Sequence, residues 1–473
     1  MVRRSRRSRL IAAVVALASA AVLVLAVEQM RWQLYAPLAV AALSLLVGAL
    51  RLSRGAPDRP RWRSALAGMG AALLLLLAFL PPLLFPMFTV PDPAGEMPVG
   101  TRNFALVDPD RSDPVGGAPS GKRELAIRAW YPAAKVDVKR EVAPLMSQGV
   151  ADGMVSGMMP IFIFQHLQLI DTASVIDAPI ARDIARAPVV IFVPGFRSFT
   201  TQSSVLAQDL ASRGFVVLAI GSPGDASALE YPDGRIAAFN NNSLLADEKG
   251  IEALTRATAA TNLNAQRRAI AEALKEMRGA DATLRGQVAD VRLLADAIAR
   301  EEVDGFAGRL DTSRVFIVGM SLGGAVATQA CAELPTCAAA VNLDGFQFGD
   351  FFERAYPKPL LVLMSDRGDV PPLNGSMYRE RGQPFPDDVI YREIVGASHL
   401  DFTDFALAAP GLKRWAPNPL LGAVDGADML TATSLSVASF LKSVGAGRTQ
   451  SFRLPSTGNV SIRAVDPAAP AQP

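Results

Sequence analysis

The chain has 473 residues, of which half are hydrophobic and 19% charged, and its mean hydropathy is +0.24. That balance excludes a disordered, charge-solvated chain, which has too little apolar surface to offset its ordering entropy. The net charge of +2 hides an asymmetry: residues 1–90 hold eleven arginines, no lysine and two acids, Glu28 and Asp58, which leaves the remainder at −7. A mildly acidic remainder without a basic stripe argues against a nucleic-acid partner. Two cysteines and two distant histidines argue against a structural zinc site, a disulfide-dense scaffold or a His-rich metal centre.

The N-terminal region holds three uncharged apolar runs, Leu10–Val27, Leu34–Leu50 and Ser64–Val90. A bilayer core of about 30 Å is crossed by roughly 20 apolar residues in a helix. The expectation is a membrane domain over residues 1–90, with transmembrane helices over 10–27, 34–50 and 64–85 and Pro81 and Pro82 ending or kinking the third. Five arginines precede the first run, only Arg31 separates the first two, and five more separate the second and third. The positive-inside rule then puts the N-terminus in the cytoplasm and everything after Val90 outside it, anchored in the inner membrane. A cleaved signal peptide is the rival reading, since Ala18-Ser19-Ala20 resembles a cleavage site, but it leaves two apolar runs unexplained. A buried soluble helical domain is the plainest alternative. An extracytoplasmic compartment permits a disulfide between Cys331 and Cys337; two buried free thiols are equally compatible with the sequence.

Residues 91–123 read as a linker. Residues 124–445 then alternate strand and helix. Strands are expected at Glu124–Tyr131, Pro188–Pro194, Gly214–Ile220, Arg314–Gly319, Ala338–Leu343, Leu360–Met364 and Val389–Val395. Helices are expected at Ser203–Arg213, Asn264–Met277, Ala282–Arg300, Gly323–Leu334 and Asp428–Val444. Apolar strands separated by helices indicate a mostly parallel sheet covered on both faces. Residues 240–279 are polar, Ala-rich and too long for an ordinary connection, so they read as a helical insertion able to cap a pocket. Met154–Ile170 is strongly apolar and suits core burial, an acyl pocket or contact with a bilayer surface. The tail, 446–473, ends in a Pro/Ala-rich stretch expected to be partly disordered.

The chemistry gathers at Gly319-Met320-Ser321-Leu322-Gly323, which follows the Val-Phe-Ile-Val strand and opens a helix. This is G-x-S-x-G in strand–turn–helix context: the glycines admit a tight turn, and Ser321 Oγ stands above the sheet edge at a helix N-terminus. A serine nucleophile needs a base. His166 lies before the main sheet in the apolar segment, whereas His399 follows the last strand, where the order Ser…acid…His places a base. Asp344 ends one strand and Asp366 and Asp369 follow the next; any of them can reach an imidazole at that sheet edge, the others serving as turn residues.

From about Glu124 to Phe405 the chain resembles the platelet-activating-factor acetylhydrolase group of α/β hydrolases, close to the dienelactone-hydrolase-like esterases. The matching pieces are Arg128–Pro132, Val189–Gly195, Leu210–Phe215, the elbow at Ser321, Asn342-Leu343-Asp344 and His399-Leu400-Asp401-Phe402-Thr403-Asp404-Phe405; Pro223-Gly224-Asp225 matches a loop near the site only loosely. The resemblance implies an α/β-hydrolase fold and favours Asp344 over Asp369 as the acid. It also implies an oxyanion hole made by the backbone N–H groups of Leu322 and Phe196. Pro194 stands where the family usually has His.

The function expected is a membrane-anchored serine ester hydrolase of carboxylesterase, lipase or phospholipase A2 type, acting on lipid-like or other hydrophobic esters without a metal or organic cofactor. His399 takes the Ser321 proton, Asp344 orients the imidazole, and water clears an acyl-enzyme. Two alternatives stand beside it: an acyltransferase using the same three residues, and a non-catalytic envelope binding protein on a hydrolase scaffold. The sequence leaves the oligomeric state open.

Overall fold

The structure, a computed structural model, describes residues 31–53, 61–135, 141–154, 161–182, 184–243, 246–415, 420–449 and 452–464. Its strands are β1 (Val99–Ser112), β2 (Lys122–Pro132), β3 (Val142–Pro144), β4 (Asp171–Ile176), β5 (Ala187–Val193), β6 (Val216–Gly221), β7 (Ala228–Glu230), β8 (Ile236–Ala238), β9 (Leu310–Met320), β10 (Cys337–Leu343), β11 (Leu360–Ser365), β12 (Val389–Ile394) and β13 (Ile462–Ala464).

Eleven strands form one sheet in the order β13-β12-β11-β10-β9-β5-β6-β2-β1-β4-β3, while β7 and β8 pair separately. The run from β6 through β5, β9, β10 and β11 to β12 is parallel throughout. Antiparallel pairings add β2 and β1 at one side and β13 at the other. The parallel strands read as unbroken apolar runs because both faces are covered. Along β5, Val189, Ile191 and Val193 enter one core with Leu294 and Val326 from the helices Arg278–Ala299 and Leu322–Glu333. Val190 and Phe192 enter the other, with Leu210 and Phe440 from the helices Ser204–Ser212 and Gly426–Gly445. Each such side chain contributes roughly 1.5–3 kcal/mol on burial. This is the architecture that the α/β-hydrolase resemblance implies.

The chain leaves β5 toward β6 and later returns to β9 on the opposite side of β5. That reversal opens a crevice at the carboxyl ends of β5 and β9, where ligands of open α/β sheets bind. The register pairs Val193 with Gly319, so Pro194-Gly195 and Met320-Ser321 emerge side by side.

One expectation is corrected and three are made more specific. The linker, 91–123, holds β1, which pairs with β2 from Val99↔Pro132 to Ser112↔Lys122. Its half-exposed face and its Asp108-Pro109-Asp110-Arg111 segment mask the strand pattern. The tail adds β13 to the edge of the sheet, and Phe452 and Leu454 pack on the second core, so order continues to Ala464. Among the described residues one helix, Trp32–Leu50, is long and apolar enough to cross a membrane, where three were expected. The run over 64–85 is divided between Arg61–Ala78 and Leu80–Leu84, because Pro81 and Pro82 fit only the first turn of a new helix; Leu10–Val27 lies outside the described residues. Finally, Met154, Leu167 and Ile170 belong to a satellite core with Leu145, Met146 and Phe199, against which Met87, Phe88 and Val90 pack.

The insertion forms two helices, Glu248–Ala259 and Leu263–Glu276. Cys331 and Cys337 are joined by a disulfide.

Candidate active site

Ser321 sits at the turn from β9 into the helix Leu322–Glu333 with φ +57° and ψ −129°. For a residue with a Cβ this is strained backbone, costing about 1–3 kcal/mol, and it persists only where the surroundings impose it. Those surroundings are tight. A Cβ at Gly319 would overlap the Gly323 carbonyl, and one at Gly323 would overlap the Val193 carbonyl of β5. The two glycines of the motif are thus required by close backbone approach, and they lift the hydroxyl toward the crevice.

His399 begins a short 3-10 turn, His399–Phe402. Its Nε2 lies 3.1 Å from Ser321 Oγ, and its Nδ1 lies 2.6 Å from Asp344 Oδ2. Asp344 follows β10 with φ +51°. Asn342 clamps that turn: its Oδ1 accepts from Gly345 N–H at 2.8 Å, and its Nδ2 donates to the Gly345 carbonyl at 3.1 Å. The Ser365 N–H, at the end of β11, donates to Asp344 Oδ1 at 2.7 Å. Burial alone would push the Asp344 carboxyl up, but the His399 contact and the Ser365 hydrogen bonds together outweigh it and hold the group below the ordinary carboxylate value.

Of the other acids, Asp366 is engaged elsewhere. It accepts from Gly368 N–H at 2.9 Å, Gly396 N–H at 2.8 Å and Arg463 at 3.1 Å. Asp369 is exposed and makes no hydrogen bond to His399 among the described residues. His166 is buried in the 3-10 segment Ile161–Leu169, away from the residues that line the site.

The loop after β5 is braced from two sides. Gln202 Oε1 accepts from Gly195 N–H at 2.8 Å, and the Asp225 carbonyl accepts from Arg197 N–H at 2.9 Å. The Asp225 carboxylate in turn receives Asn241 Nδ2 at 2.6 Å and Gln287 Nε2 at 3.0 Å, tying the loop to the base of the insertion. Phe196 packs edge-on against Phe239 with ring centroids 5.6 Å apart. Leu322, as the first helical residue, has an N–H with no acceptor inside its own helix.

Ser321, Asp344 and His399 open onto a cavity of about 680 Å³. Its apolar wall includes Phe196, Phe346, Phe348 and Leu373, together with Ile251 and Leu254 of the insertion helix Glu248–Ala259. No group of His, Cys, Asp and Glu able to hold a metal ion occurs among the described residues.

The family described as platelet-activating factor acetylhydrolase, isoform II, matches residues 89–443. The chain belongs to this family. Among curated relatives, platelet-activating factor acetylhydrolase of Bos taurus is 28% identical over 231 residues, covering 47% of this chain and 49% of the relative. The Canis lupus familiaris protein of the same name is 27% identical over 224 residues, covering 46% and 48%. The chain thus spans about half the length of the curated relatives it matches. A solved structure, a ferulic acid esterase from Streptomyces cinnamoneus, is 26% identical with a TM-score of 0.54, covering 75% of this chain and 92% of that one.

Sequence reasoning named Ser321, Asp344 and His399, and the structure brings these side chains together. It did not single out Gln202 or Ser365, and it quoted Asn342 and Asp225 only as parts of matching segments without the roles they play in holding the loops. Their signal is weak, because no motif marks a side chain that braces a loop.

Proposed function

We propose that the protein is a membrane-anchored serine ester hydrolase, resembling platelet-activating factor acetylhydrolase, that acts on lipid-like or other hydrophobic esters through Ser321, His399 and Asp344. One observation carries this reading: the continuous chain from Ser321 Oγ through His399 to the buried Asp344, with contacts of 3.1 and 2.6 Å, at the wall of a largely apolar cavity.

In the reaction, His399 Nε2 accepts the hydroxyl proton as Ser321 Oγ forms a bond to the ester carbonyl carbon. The Phe196 and Leu322 N–H groups receive the resulting oxyanion, and removing one such donor typically costs 10²–10³ in kcat, or about 2.7–4 kcal/mol. The imidazolium returns the proton to the leaving oxygen as the carbon–oxygen bond breaks. Water, deprotonated by His399, then releases the acid from Ser321. Asp344 stays ionised throughout, fixes the tautomer and offsets the imidazolium charge. Its lowered pKa suits that role.

Anchoring is part of the proposal. The apolar runs of the first ninety residues would cross the membrane with the arginine-rich N-terminus in the cytoplasm and the hydrolase domain outside. The Cys331–Cys337 bond suits an oxidising compartment.

The test is hydrolysis of p-nitrophenyl butyrate by the full chain in detergent. Ser321→Ala and His399→Ala are expected to lower kcat by about 10⁴ or more, and Asp344→Asn by about 10⁴, with Asp369→Ala unchanged. Undiminished activity in Ser321→Ala would sink the reading.

A further inference from the structure

We propose that Asn374 is a positioning residue for the reaction: with Tyr378, it holds the turn that presents Asp344 to His399. This rests on the hydrolase reading above. Neither residue lines the cavity, so both act through the acid and not on the substrate.

Asp344 has φ +51°, left-handed backbone that a residue with a Cβ keeps only under restraint. Part of the restraint is local. Asn342 bonds both backbone groups of Gly345, and the Asp344 N–H donates to the Leu363 carbonyl at 2.8 Å. A Cβ at Gly345 would overlap the Ser321 carbonyl, so this segment lies hard against the nucleophile's own backbone. The rest comes from residues 366–388, the excursion between β11 and β12. Asn374 Nδ2 donates to the Gly345 carbonyl at 2.7 Å, and Asn374 Oδ1 accepts from Gln347 N–H at 3.2 Å. One amide thus grips the chain on both sides of Phe346. The Tyr378 hydroxyl accepts from Asn342 Nδ2 at 3.0 Å and donates to Gln347 Oε1 at 2.9 Å. Asn342, Asn374 and Tyr378 are fully buried. Tyr378 has φ +64°, so one hydrogen-bond network joins two strained residues. Phe346 and Leu373, neighbours of its members in sequence, line the cavity, so the excursion that walls the substrate also holds the acid.

Removing the Asn374 amide leaves the Gln347 N–H buried without its acceptor and takes one donor from the Gly345 carbonyl. The strained Asp344 turn then has a way to relax, which withdraws Oδ2 from His399 Nδ1, 2.6 Å away. That contact matters most as the imidazolium forms, in the transition state, and little for ground-state binding of a neutral ester. A residue acting in this way therefore sets kcat and leaves KM alone.

The test is a double-mutant cycle read in kcat and KM for p-nitrophenyl butyrate, with the thermal midpoint of each variant recorded. Asn374→Ala is expected to lower kcat about 10- to 100-fold and to change KM less than about two-fold. In an Asp344→Asn background the same change should lower kcat less than about two-fold, because nothing is left to position. Tyr378→Phe, which keeps the ring, should lower kcat about 3- to 10-fold at unchanged KM, and it decides the matter in both backgrounds should Asn374→Ala fail to fold. An equal fold-loss in both backgrounds would overturn the proposal and make the network a general brace. An active wild type with kcat unchanged in the variants, or with the loss confined to KM, would overturn it too. A wild type inert toward the ester overturns the hydrolase reading itself.

Discussion

Lys413 Nζ donates to Asp401 Oδ1 at 2.5 Å, and the two side chains are only 5% and 0% exposed. The other oxygen, Oδ2, accepts from Ser398 N–H at 2.8 Å and Gly422 N–H at 2.7 Å. One carboxylate thus closes the turn that delivers His399, and one lysine neutralises it. Lys413 lies on the short helix Pro410–Trp415, which packs against Leu80–Leu84 at the end of the N-terminal apolar region.

Breaking this pair from one side should be severe. Lys413→Met leaves Asp401 charged and buried, which is expected to cost about 3–5 kcal/mol in urea unfolding and to lower kcat more than it changes KM. An unchanged midpoint would show that the pair does not hold the turn.

Asp404 makes a pH prediction. Its carboxylate caps the helix Ser204–Ser212, accepting from Ser204 N–H at 2.6 Å and Val205 N–H at 3.3 Å. Burial nevertheless pushes its pKa up from 3.8 to about 8, against those two hydrogen bonds. The fold therefore favours the neutral form. The group's contribution is complete below its ordinary value and is withdrawn as the pH rises through about 8. Asp404→Asn removes this slope. Between about pH 5 and pH 8 the wild type should lose up to about 1.4 kcal/mol per pH unit relative to the variant. Parallel stability curves would contradict the assignment.

The Cys331–Cys337 bond closes a small loop at the far end of the helix that Ser321 begins. Ten residues of helix separate Cys331 from Ser321, about 15 Å. Replacing both cysteines by serine should cost about 2 kcal/mol in stability and leave kcat/KM for a neutral ester unchanged. A collapse of activity with folding intact would show that the loop reaches the site.

The parallel strands and the serine elbow were legible because each strand buries both faces and so writes an uninterrupted β-branched run. Val189–Val193 and Val315–Val318 are such runs, bounded by glycine or proline. β1 was not legible: it is exposed along much of one face, and Asp108, Pro109 and Asp110 break its alternation. β13 is three residues long and owes its existence to its pairing with β12. Ser321 and His399 could be named because the motif is local and histidine is scarce. Asp344 needed the family resemblance, since Asp366 and Asp369 occupy equivalent loop positions and only the fold shows that Arg463 and two backbone N–H groups hold Asp366. Lys413 and Gln202 left no signal, because no motif marks the contacts they make with Asp401 and Gly195.

The most direct measurement is covalent labelling of the full chain with a fluorophosphonate, followed by peptide mass spectrometry. The account predicts a single adduct on Ser321, lost in Ser321→Ala and in His399→Ala and strongly slowed in Asp344→Asn. A folded wild type that is not labelled, or an adduct on another serine, would contradict it.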